Sequence, residues 1–70
     1  MNIKSQIQAI VWKISVEIGD KINEGQEVII LESMKMEIPV EATVAGTLVE
    51  VLVAPEEQVE EDQVLAVIEN

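Results

Sequence analysis

The sequence predicts an all-β fold, a small barrel or sandwich of six to eight short strands. Three observations lead there. Apolar and polar residues alternate with period two in several short runs, and Val, Ile and Leu dominate the apolar set. Helical patterning is missing: the stretch richest in helix formers, residues 56–63, contains Val59 as its one apolar residue. The third observation is an internal repeat. A shift of 37 positions lays residues 1–33 onto residues 38–70. Ile7 falls on Val44, Ile22 on Val59, Val28 on Leu65 and Ile30 on Val67. Turn residues coincide too, Asp20 with Glu57 and Gln26 with Gln63. Residues 34–37 are left over and form a hairpin between two half-repeats of one domain spanning residues 1–70.

Each element has its own signal. Residues 2–8 alternate, with Ile3, Ser5 and Ile7 on one face. Residues 11–17 alternate again, which places Trp12, Ile14 and Val16 in the core. A buried Trp12 would lose about 3–5 kcal/mol on truncation to alanine. Gly19-Asp20 and Gly25 mark turns. Val28-Ile29-Ile30-Leu31 is a continuous apolar run, the signature of a strand covered on both faces. Beyond residue 35, Met36, Ile38, Val40, Ala42 and Val44 share one parity. Pro39 lies in this run and lacks a ladder donor, so the strand should lie at a sheet edge or be paired on that side only through carbonyls. Ala45-Gly46-Thr47 reads as a turn, Val49, Val51 and Val53 as buried, Ala54-Pro55-Glu56-Glu57 as a turn, and Val64 to Ile68 as the closing strand. Residues 19–26 and 56–63 read as loops.

Composition excludes several classes of function. There is no Cys and no His, so disulfides, Cys/His zinc sites and His-activated nucleophiles are ruled out. Fourteen acidic residues against four lysines give a net charge of −10. Nucleic acid and anionic membrane surfaces are poor partners for such a chain. No apolar run approaches a membrane span and the N-terminus lacks a signal-peptide core, so a cytoplasmic location is expected. The carboxylates stand in no spacing that suggests an acid/base pair, and an enzyme is the weakest reading.

What remains is one amine. Lys35 lies between Met34 and Met36 in Glu32-Ser33-Met34-Lys35-Met36-Glu37, at the centre of the repeat. Two-residue hairpin turns favour Asn-Gly or Gly-Gly because both central residues need positive φ. Met34-Lys35 breaks that preference, and sequences break local rules where function demands it.

These residues resemble the Met-Lys-Met attachment signature of biotinyl domains, the biotin carboxyl carrier family. Val11-Trp12-Lys13, Gly19-Asp20, Glu24-Gly25-Gln26 and Ala45-Gly46-Thr47 extend the resemblance along the whole chain. It is nearest to free-standing biotin/lipoyl attachment proteins. The resemblance implies a flattened antiparallel barrel of two four-stranded sheets with pseudo-twofold symmetry. It implies covalent biotin on Lys35, attached by a biotin protein ligase and serving a biotin carboxylase and a carboxyltransferase. Met34 and Met36 become the ligase's recognition surface, with Glu32 and Ser33 assisting; Glu37 stands evenly between that role and a solvated strand end. A monomeric, non-catalytic domain is expected. The acceptor is not specified.

The chain departs from the family in places. Ala9 stands where glycine is usual, and would cost about 1 kcal/mol if that position needs positive φ. Glu56 and Asp62 replace turn glycines whose repeat mates are Gly19 and Gly25. The protruding thumb of some acetyl-CoA carboxylase carriers is missing. Two alternatives share the fold. A lipoyl carrier of a 2-oxo acid dehydrogenase or glycine-cleavage system would bear lipoate on Lys35, though the flanking methionines favour biotin. An unmodified adaptor would have no need of a Met-flanked lysine.

Overall fold

The computed structural model describes residues 1–70 and contains eight strands and no helix. They are β1 Asn2–Lys4, β2 Ala9–Ile14, β3 Lys21–Ile22, β4 Glu27–Ser33, β5 Met36–Glu41, β6 Gly46–Val51, β7 Gln58–Val59 and β8 Val64–Glu69. Two four-stranded sheets run β1-β8-β6-β3 and β5-β4-β2-β7, and every pairing is antiparallel.

The 37-residue shift carries over to three dimensions. It maps β2 onto β6 and β3 onto β7 residue for residue, and it exchanges the two sheets. Each sheet draws two strands from each half, so the halves interleave and neither has a complete sheet alone. Core residues fall on core residues under the same shift. Val11 and Leu48, Val16 and Val53, Ile22 and Val59, Val28 and Leu65, Ile29 and Ala66, and Leu31 and Ile68 are all buried. Ser5, the one buried polar residue, maps onto buried Ala42. Its hydroxyl donates to the Ile7 carbonyl, so the polar atom is satisfied inside its own turn.

Two β-bulges account for the main departures from strict alternation. The register of β2 on β4 slips between Val11 and Lys13, and that of β6 on β8 slips between Leu48 and Glu50, again 37 residues apart. A bulge places two residues opposite one and leaves one of them unpaired. Val11 therefore enters the core while Trp12 and Lys13 both face solvent. Trp12 is 51% exposed and is not a core residue; the period-two reading fails at the inserted residue. For the same reason Leu48 replaces Val49 as the buried residue of β6, and Val51 is only half-buried.

Other expectations shift in detail. The strand predicted over residues 2–8 ends at Lys4, and the one predicted over 11–17 spans Ala9–Ile14. Both predicted loops contain a two-residue strand, centred on Ile22 and Val59, which are buried. Gly46-Thr47 opens β6 rather than closing a turn. Gly46 is required by close approach: an added Cβ would sit 2.5 Å from the Glu69 carbonyl oxygen. Its mate Ala9 is buried without positive φ, so the strain considered for it does not arise. β5 is an edge strand, as Pro39 indicates.

Four turns share one construction. Glu17–Asp20, Asn23–Gln26, Ala54–Glu57 and Glu60–Gln63 each close with an amide of the fourth residue donating to the carbonyl of the first. In each, the first residue's amide also donates to the fourth side chain, at 2.9–3.1 Å. The third residue has positive φ: Gly19 (98°), Gly25 (83°), Glu56 (73°) and Asp62 (68°). This is the type II pattern, which favours glycine there. The first half follows the preference and the second half violates it twice.

Candidate functional site

The lysine stands at the end of a rigid support. β4 is a seven-residue interior strand, paired with β2 on one side and β5 on the other, and pinned by buried Val28, Ile29 and Leu31. β4 and β5 pair up to Ser33 and Met36, so the connection is two residues long. Met34 and Lys35 fill it with φ of 52° and 66°. Positive φ at both central positions defines a type I′ turn, whose twist matches the flanking strands. Each L-residue held there costs about 1–2 kcal/mol relative to the right-handed region.

The side chains project away from the barrel. Lys35 is exposed, Met34 is 92% exposed and Met36 is 63% exposed. Neither methionine is a core residue, so the hydrophobic pair around the amine is offered to solvent. One residue pair back, Glu32 faces Glu37 across the ladder, and both are exposed. Like charges opposite each other on a sheet are destabilising. The tip thus collects three locally unfavourable choices: two strained residues, exposed methionines and an acidic pair. The five sequence-predicted site residues, Glu32, Ser33, Met34, Lys35 and Met36, are contiguous on this hairpin, with Ser33 half-buried at its base.

Sequence reasoning missed the neighbours that come from elsewhere in the chain. A shallow groove of about 400 Å³ runs beside the hairpin, lined by Gln8, Ile10, Glu32, Ser33, Met34 and Gln58. Ile10 pairs with Glu32 on one side and with Gln58 on the other, which brings β7 to the hairpin's flank. A signal was available in the repeat: the mates of Gln8, Ile10 and Gln58 are Ala45, Thr47 and Lys21, a chemically different set. A larger hollow of about 630 Å³ lies between the edges of β1 and β5, lined by Ile3, Ile7, Leu31, Ile38 and Val40 among others. Its lining pairs under the 37-residue shift, Ile3 with Val40 and Ser5 with Ala42. No cluster of three potential metal-ligating side chains occurs.

The chain as a whole is similar to several known proteins. The family model described as "Biotin-requiring enzyme" matches residues 2–68. The chain is 44% identical over 70 residues to the biotin/lipoyl attachment protein of Bacillus subtilis, covering all of this chain and 96% of that protein. It is 48% identical over 50 residues to the biotin carboxyl carrier protein of acetyl-CoA carboxylase from Nostoc, covering 71% of this chain and 28% of that one. Among solved structures, the urea carboxylase of Kluyveromyces lactis superposes with a TM-score of 0.92 at 34% identity, over 97% of this chain but 6% of the carboxylase.

Proposed function

This chain belongs to the biotin/lipoyl attachment family, and we propose that it is a biotin carrier, a single domain of residues 1–70 with Lys35 as the covalent attachment point. The observation that carries the proposal is the type I′ turn filled by Met34 and Lys35, both exposed. A turn that served only to connect strands would be cheaper as Asn-Gly. Holding an amine there, ahead of any neighbouring strand, gives an enzyme's active site access to it from nearly all directions. The printed name of one relative, a biotin carboxyl carrier protein, and the family description "Biotin-requiring enzyme" support this choice of cargo.

Each group has a definite task. Lys35 Nζ attacks the activated carboxyl carbon of biotin held by a ligase; a C–N bond forms, the activating group departs and the amine loses a proton. The ligase must accept that proton. Met34 and Met36 supply an adaptable apolar surface for the ligase to grip. Glu32, Ser33 and Glu37 mark the approach with charge and hydrogen-bonding groups. Once bound, biotin carries a carboxyl group between a carboxylase site and a transferase site. The domain keeps its cargo close to both, at the millimolar effective concentrations typical of short tethers. The partners are then a biotin protein ligase, a biotin carboxylase and a carboxyltransferase, met in the cytoplasm.

The test is intact mass after incubation with ATP, biotin and a biotin protein ligase, with lipoate and a lipoyl ligase in parallel. The expected result is one biotinyl addition mapped to Lys35 and none on Lys35→Arg. An addition elsewhere, or preferential lipoylation, would overturn the assignment.

A further inference from the structure

The groove beside the hairpin has a composition that the fold does not require. The pseudo-twofold provides an internal control, because each position outside the hairpin residues 34–37 has a structural counterpart in the other half. Where the groove has Gln8, Ile10 and Gln58, the counterpart positions hold Ala45, Thr47 and Lys21. The barrel accommodates both sets, so the two carboxamides and the isoleucine are not demanded by strand pairing. They occur only on the flank of the lysine hairpin.

Their chemistry is specific. A carboxamide presents one acceptor oxygen and a two-donor nitrogen. A cyclic urea presents two N–H donors and one carbonyl acceptor, the complementary set. Gln8 and Gln58 are exposed and free to turn toward a ligand, while Ile10, 46% exposed, and Met34, 92% exposed, supply an apolar wall. The Glu32 carboxylate adds a further acceptor for a urea N–H.

Distance permits the contact. Strands rise about 3.3 Å per residue and lie about 4.8 Å apart. Ile10 is level with Glu32, one strand over from the hairpin's own β4, and Gln58 is one strand further. Lys35 leads into β5, two residue rises beyond the Glu32 level, so Ile10 is about 12 Å from it and Gln58 about 16 Å, before their side chains reach toward the tether. Eleven bonds separate the lysine Cα from the bicycle of a biotinyl group. At the advance of an extended backbone, about 1.2 Å per bond, the tether reaches about 13 Å.

We propose that the groove formed by Gln8, Ile10, Gln58 and Met34 is a resting site for the ureido ring of the biotin carried on Lys35. The inference rests on the carrier reading above. The docked ring is shielded on one face between transfers, and it leaves when a partner enzyme offers a better site. The groove is shallow and open, which suits a site that must release its occupant.

The experiment is NMR on the biotinylated domain and its unmodified form. Biotinylation is expected to shift the side-chain amides of Gln8 and Gln58 and the methyls of Ile10, with cross-relaxation from the ring protons to those methyls. The triple variant Gln8→Ala, Ile10→Thr, Gln58→Lys installs the other half's residues, which this fold already holds at equivalent positions. In it, biotinylation should no longer shift the backbone amides of residues 8–10 and 58, which both proteins retain, and the shifts should contract to residues 33–37. Shifts confined to residues 33–37 in the unaltered domain, with biotin present by mass, would overturn the resting site and leave the carrier reading standing. Failure to biotinylate at all would overturn both.

Discussion

Replacing Glu56 with glycine should stabilise this protein. Glu56 occupies the third position of a type II turn at φ 73°, where its repeat mate is Gly19 at φ 98°. An L-residue in this region costs about 1–2 kcal/mol. Glycine removes that strain but adds unfolded-chain entropy of about 0.4–1 kcal/mol. The net gain is about 0.5–1 kcal/mol, which for a domain of this size raises the melting temperature by roughly 2–8 °C. The turn's hydrogen bonds run between Ala54 and Glu57 and are untouched by the change. Loss of one negative charge from an acidic chain could raise stability for another reason, so Glu56→Gln is the control; it removes the charge and keeps the Cβ. The converse substitution, Gly19→Ala, should destabilise by about 1 kcal/mol. Nothing lies within 4 Å of the Cβ it would add, so backbone strain alone is measured. Thermal and denaturant unfolding of the three variants decide the matter. If Glu56→Gly is no more stable than Glu56→Gln, the strain argument fails. Asp62→Gly should follow in the same direction by a smaller amount, because aspartate tolerates the left-handed region better.

Three further outcomes are expected. Gly46→Ala should destabilise by about 1–3 kcal/mol, because the new methyl meets backbone and the Ile68 side chain that cannot easily move; urea titration checks it. Trp12→Ala should lose no more than about 1 kcal/mol, against 3–5 for a buried tryptophan. Easy acrylamide quenching of Trp12, the chain's only tryptophan, would agree with its half-exposed position. Met34→Asn should raise stability by roughly 0.5–1 kcal/mol, since asparagine suits the first central position of a type I′ turn. If Lys35 is the attachment point proposed above, the same change should slow its labelling by a biotin protein ligase about tenfold or more; unchanged labelling kinetics would remove Met34 from the proposed recognition surface.

The repeat of 37 residues, the all-β class, the edge position of β5 and the hairpin at Lys35 were all legible in the chain, because each rests on a local rule. Period two reveals strands, a missing amide suits Pro39 to an edge, and an unsuited dipeptide at the centre of a repeat marks the candidate site. What the sequence could not reveal depends on register between strands distant in the chain. A bulge inserts one residue and turns Trp12 out while Val11 turns in, and no period in β2 alone announces it. Ile22 and Val59 form strands too short to show any period, and only pairing with β6 and β2 defines them. Gly46 looked like a turn residue, but it is glycine because Glu69 and Ile68 of β8 pass too close for a methyl. The groove at Gln8, Ile10 and Gln58 joins a loop and two strands that meet only once the halves interleave. Local pattern determined the longer strands, and a break in that pattern marked the displayed amine; the registry of long-range pairing decided which side chains surround it, because pairing partners lie far apart in the chain.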